Sequence, residues 1–152
     1  MSGELQIILM SAFPVTELRV TLPVAILQYH FVPLYAFFLS VIGNFLPIAI
    51  VFFIFPPLLR FAEKHIPVLH RVMEAYLRSL ERKYKNKYQK YGAFFLFLLV
   101  AVPFPATGAW TGSVLAVLFG IKPTASIPAI TSGVIAAGLI VMILTIGYAN
   151  LY

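Results

Sequence analysis

The chain has 152 residues, 61% of them hydrophobic and 11% charged, with a net charge of +6. That much apolar surface cannot be hidden in a soluble domain of this size, so residues 1–152 read as a single domain of an integral membrane protein. There is no Cys and no Asp, and no His pair stands at metal-ligand spacing, so disulfides, thiolate chemistry, metals and other cofactors are not expected. Nine of the eleven Lys and Arg residues fall between Arg60 and Lys90. The charge therefore marks one side of a membrane rather than a nucleic-acid surface.

The first element, Leu5–Tyr29, is interrupted by Pro14 and Pro23, with Glu17 and Arg19 between them. No basic amino-terminal region or cleavage pattern precedes it, so it is expected to stay in the mature protein. Its two arms, about ten residues each, are short of the roughly 20 needed to cross a bilayer. They are expected to form a re-entrant helical hairpin, shielded by protein or water. Phe31–Leu59 carries no Lys, Arg, Asp, Glu or His and reads as a full span, kinked near Gly43-Asn44 and Pro47. Its Asn44 is expected to bond across to another helix.

Arg60–Tyr91 changes character. From Ile66 the apolar residues recur at helical spacing on one face, through Leu69, Val72, Met73, Tyr76, Leu80 and Tyr84 to Tyr88 and Tyr91. Glu74 precedes Arg78, and Glu81 precedes Lys85, at i,i+4. Such a helix either lies on a membrane surface or packs as a solvated linker on its own protein. By its charge it is cytoplasmic. Gly92–Ile121 is again two short arms, around Val102–Gly108, and Pro123–Tyr152 is a second span; neither carries an ionisable group of those types.

The halves echo each other. Phe13-Pro14-Val15-Thr16 returns as Phe104-Pro105-Ala106-Thr107 at an offset of 91, and Pro33 and Gly43 meet Pro123 and Gly133 at an offset of 90. A hairpin returns to its own side and a span changes sides, so the second half begins opposite to the first. The expected fold is an all-α membrane protein of two inverted repeats, 1–59 and 92–152. Each is a re-entrant hairpin followed by a transmembrane helix, and the amphipathic helix 60–91 joins them. Both termini then lie outside. A rival with six short crossings keeps the linker cytoplasmic too.

Glu17 and Arg19 are the only ionisable residues inside a hydrophobic segment, where charge is costly and by default functional. Two residues apart, they do not face each other along a helix. They can meet a ligand, water or the other hairpin, or snorkel to the interface. Pro14, Pro103 and Pro105 free backbone carbonyls, and Thr16, Thr107 and Thr111 offer hydroxyls. Helix ends inside the membrane would add oriented dipoles able to hold a polar or anionic group. Plain turn chemistry by Pro, Gly and Thr is the alternative. Trp110, the single Trp, beside Gly108 at a hairpin tip, serves either as an interfacial anchor or as a stacking surface for a ligand.

Ser11-Ala12-Phe13-Pro14-Val15-Thr16-Glu17-Leu18-Arg19 and Pro103-Phe104-Pro105-Ala106-Thr107-Gly108-Ala109-Trp110-Thr111-Gly112 resemble the two signature stretches of the putative small multidrug export protein family. That family is similar to the broader DedA superfamily, whose fold pairs two opposed re-entrant hairpins. The resemblance implies a proton-coupled transporter of a drug-like or lipid-phosphate substrate. Glu17 and Arg19 would be its charged positions in hairpin one, and Pro105, Thr107, Gly108 and Trp110 the tip of hairpin two. The chain departs by having Ala106 where Gly is common, and by lacking the second-hairpin Arg of DedA proteins. The four-helix small multidrug resistance transporters do not match these motifs.

The leading expectation is a secondary transporter in the cell membrane, with its site between the tips. Pro14, Thr16, Glu17, Arg19, Pro105, Thr107, Gly108, Trp110 and Thr111 would line the substrate or proton pathway. The alternative is a flippase or scramblase of anionic lipids such as polyprenyl phosphate. A third reading is a lipid-binding scaffold. An enzyme is not expected, since the membrane segments offer one carboxylate and no nucleophile-base set. Membrane lipids and a small-molecule or lipid-phosphate substrate are the expected partners. A homodimer is expected from so small a buried volume.

Overall fold

The computed structural model describes residues 2–151, so Met1 and Tyr152, the outer ends of the two expected halves, lie outside the described residues. Eight helices and no strand form among the described residues: α1 Gly3–Ala12, α2 Glu17–Leu27, α3 Pro33–Phe53, α4 Phe55–His65, α5 Pro67–Tyr91, α6 Ala93–Ala101, α7 Ala109–Leu118 and α8 Pro123–Ala149. The order short helix, break, short helix, long helix occurs twice. Among the described residues only α3 and α8, at 21 and 27 residues, are long and apolar enough to cross a membrane.

Proline chemistry sets the breaks. α1 ends just before Pro14, and the Phe13 N–H closes its last turn on the Met10 carbonyl at 3.3 Å. α6 ends before Pro103, with Val102 in the extended conformation that a following proline enforces. Pro23, expected to interrupt the first segment, does not: α2 runs through it, forgoing one i→i−4 bond to the Arg19 carbonyl. α3 likewise continues through Pro47. The first span ends at Phe53 rather than Leu59. Pro56 and Pro57 supply no N–H to the carbonyls of Phe52 and Phe53, and the chain restarts as α4.

The two long helices touch each other, and α2 and α7 each pack against both. α1 lies on α3, and α6 lies on α8. The matched glycines mark these two crossings. A Cβ on Gly43 would fall 2.5 Å from Ser11 Cβ of α1, and one on Gly133 would fall 2.8 Å from Val100 Cβ of α6. Ile7, Leu22, Leu96, Leu115 and Ile130 fill the space between, all fully buried. Asn44 does not reach another helix as expected. It donates to the Ser40 carbonyl of its own helix at 3.0 Å, the local i−4 bond open to a short polar side chain within a helix.

α5 turns into α6 at Gly92, whose φ of 60° suits glycine. The carboxyl half of α5 packs on the second half of the chain. Tyr84 is buried with its ring 5.7 Å from that of Phe95, and Tyr88 stacks on Phe119 at 4.7 Å. Its amino half leaves Val68 and Val72 exposed.

Candidate functional site

The two breaks meet. Residues 13–16 and 102–108, separated by most of the chain, face one another across a cavity of about 550 Å³. Each break supplies what the other lacks.

Arg19 leaves α2 and enters the second break. Its Nη1 donates to the Phe104 carbonyl. Its Nη2 donates to the carbonyls of Val100 and Val102 at 3.4 and 3.2 Å and to Thr107 Oγ1 at 3.2 Å. These carbonyls are at and just beyond the end of α6, where no intrahelical donor remains. A guanidinium has five N–H groups in a fixed fork, so one side chain satisfies several of them. Its charge also complements the negative end of the helix.

Glu17 does the converse. It opens α2 with a φ of 40°, a left-handed conformation that a non-glycine residue holds only under constraint. The residue is only 7% exposed, and its carboxylate lies against the start of α7. Oε1 accepts from the Trp110 N–H at 3.5 Å. A Cβ on Gly108 would fall 2.7 Å from the carboxylate carbon, so only glycine leaves room for it there. Gly108 itself offers no side chain to cap α7, and Glu17 supplies the missing acceptor from the other half. Glu17 and Arg19 form no ion pair with each other among the described residues. Each is committed across the gap.

Trp110 returns the favour of Arg19 to the first break. Its Nε1 donates at 2.9 Å to the carbonyl of Ala12, the last residue of α1. The Thr16 hydroxyl donates to the Met10 carbonyl of the same helix end. In the second break Thr107 donates to the Phe104 carbonyl at 2.8 Å. Thr111 closes the turn on the Ala106 carbonyl at 3.0 Å. Ala106 has a φ of 63°, so the turn keeps the left-handed geometry that glycine would adopt freely.

Of the residues singled out in the sequence, Pro14, Thr16, Glu17, Arg19, Pro105, Thr107, Trp110 and Thr111 all line this one cavity. Gly108 does not line it, and receives the Glu17 carboxylate instead. Sequence reasoning missed a third wall. Tyr76, Leu80, Lys83 and Tyr84 of α5 close the cavity on one side. Burial first, and then the neighbouring Tyr84, push the Tyr76 phenol above the ordinary range, so it stays a neutral donor. The apolar stripe of α5 was visible in the sequence, but a stripe does not say which surface it covers. No group of three or more potential metal ligands is present among the described residues.

One family profile, described as "Putative small multi-drug export protein", matches residues 17–140, which begin at Glu17 just after the first break and include Arg19, all of α3, the second break and the first two thirds of α8. No curated protein and no solved structure matches the chain.

Proposed function

We propose, since the chain belongs to the small multi-drug export protein family, that it is a secondary membrane transporter whose site is the cavity between the two breaks. Glu17 is the group that carries a proton. The observation that carries this reading is a buried carboxylate held on the start of α7, inside a cavity, by a residue of the opposite half. Ionised, Glu17 attracts the positive helix end; protonated, it loses most of that attraction, and the two breaks are released from each other. Arg19 holds the second break through its carbonyls and supplies positive potential to the cavity. The Thr16 and Thr107 hydroxyls, Trp110 and Thr111 complete the lining, while Pro14 and Pro105 shape it.

The arms of both breaks favour a re-entrant arrangement. They have 10, 11, 9 and 10 residues, or about 15 Å of helix each, half of a hydrocarbon core about 30 Å thick. Six complete crossings would put the two breaks on opposite membrane faces. The hydrogen bonds from Arg19 and Trp110 between them favour a common depth instead. In this reading the halves are inverted repeats, the termini lie outside, and α5 lies on the cytoplasmic side of the cell membrane.

The test is transport into proteoliposomes, driven by an imposed proton gradient. Glu17→Gln keeps shape and hydrogen bonding but cannot titrate. It should insert and fold as the parent does and fail to accumulate substrate. Undiminished uphill transport by a folded Glu17→Gln protein would remove Glu17 as the proton carrier.

A further inference from the structure

A second groove, of about 420 Å³, runs between α5 and α6. That volume is within the range of roughly 300–1,000 Å³ typical of small-molecule sites. Its floor is apolar, with Leu98, Leu99 and Val102 of α6 facing it. Its rim is basic, with Lys83 and Lys87 both lining it, four residues apart and so on one face of α5. Neither lysine is paired with a carboxylate among the described residues. The acids of α5 are engaged elsewhere, Glu74 by Arg78 at 3.2 Å and Glu81 by Lys85 at 4.0 Å. Lys83 lies over the Tyr84 ring at 5.1 Å instead. At its inner end the groove joins the cavity between the breaks, and Lys83 and Thr107 line both.

We propose that this groove binds an anionic lipid, its headgroup on Lys83 and Lys87 and one acyl chain along α6. The two halves of the surface select together. A free anion gains nothing from the floor, where its hydration is lost. A neutral amphiphile gains nothing from two unpaired ammonium groups. A lipid with a negative head satisfies both, and the floor from Phe95 to Val102 offers about 10 Å of helix to its chain. The groove thus serves as a lateral entrance to the cavity, from the leaflet next to α5. This rests on α6 being inside the membrane, as in the reading above, but not on proton coupling.

Trp110 is the only tryptophan and lines the cavity into which the groove runs. It is therefore a built-in reporter. The full chain is placed in phosphatidylcholine nanodiscs with either phosphatidylglycerol or phosphatidylcholine brominated on the acyl chain, and quenching of Trp110 is followed against mole fraction. The anionic bromolipid should reach half-quenching at a mole fraction about thirtyfold lower than the neutral one, corresponding to about 1 kcal/mol for each lysine. Lys83→Gln with Lys87→Gln should erase that preference. Lys85→Gln with Lys90→Gln, the same charge change away from the groove, should keep it. Equal quenching by the two lipids, or a preference that survives the Lys83/Lys87 change, overturns the proposal. Relief of quenching by added inorganic phosphate also overturns it, since the site would then be one for simple anions. The measurement needs no gradient. A Glu17→Gln protein that fails to transport but keeps the lipid preference separates the two readings.

Discussion

Arg19 and Trp110 stand 91 positions apart, the same offset that relates the two Phe-Pro-x-Thr phrases, and each caps the other half. The Arg19 guanidinium holds carbonyls at and just beyond the end of α6, and the Trp110 indole holds the last carbonyl of α1. The two side chains share no chemistry except an N–H long enough to reach across. Their equivalence is one of position and geometry.

The exchange of caps makes Arg19 the more costly to change. Arg19→Lys keeps the charge, but its one nitrogen lacks the planar fork by which Nη1 serves the Phe104 carbonyl and Nη2 those of Val100 and Val102. The expected loss of stability is about 2 kcal/mol, from hydrogen bonds made by a charged donor. Trp110→Phe removes one neutral bond and should lose about 1 kcal/mol. Thermal unfolding of both proteins in one detergent, followed by circular dichroism, gives the order. Equal stability of Arg19→Lys and the parent would contradict the capping role.

Gly43 and Gly133 should be intolerant of even one methyl group. Gly43→Ala would press α1 off α3, and Gly133→Ala would press α6 off α8, each at about 1–3 kcal/mol. Gly147 is the internal comparison, since a Cβ there meets nothing within 4 Å. Gly147→Ala should be neutral or slightly stabilising in the same melts. If all three behave alike, close helix approach is not what the matched glycines provide.

Ala106→Gly should be the opposite case. A left-handed φ of 63° at an alanine stores about 1 kcal/mol that glycine would not. Its greater freedom when unfolded returns part of the gain. The expected melt is unchanged to slightly higher, and a clear loss would mean that the Ala106 methyl group makes a contact worth more than the strain.

The proposed arrangement, with both breaks at one depth, fixes the sidedness of each segment. The chain lacks Cys, so single cysteines report without background. Ser2→Cys should label from outside intact cells and Asn86→Cys only after permeabilisation. Val15→Cys and Phe104→Cys should respond alike, because both break residues flank one cavity. Label reaching Phe104→Cys from outside and Val15→Cys only from inside would establish six full crossings.

Much of this was legible in residue types. The charge-free runs located α3 and α8, and Pro14 and Pro103 located the breaks to within a residue or two, because a missing N–H acts locally. Pro23 was misleading for the same reason: a single lost bond does not end a helix that packs against both α3 and α8. The separate α4 was hidden because the Pro56-Pro57 pair follows an apolar run that continues across it. The third wall of the cavity was beyond reach. A face of Tyr and Leu on α5 suits a lipid surface or a protein groove equally, and tertiary packing alone chose the groove for Tyr84.

The exchanged caps also bear on how the chain is made. Arg19 leaves the ribosome 91 residues ahead of Trp110, an interval of roughly 5–18 s at ordinary rates of about 5–20 residues per second. Throughout that time Glu17 has no α7 to rest on, and the end of α1 has no indole. The first break therefore lacks its cross-half partners when it emerges. The order of synthesis thus makes the second break the one that completes the first, since the Glu17 and Arg19 contacts can form only once residues 100–110 have been made.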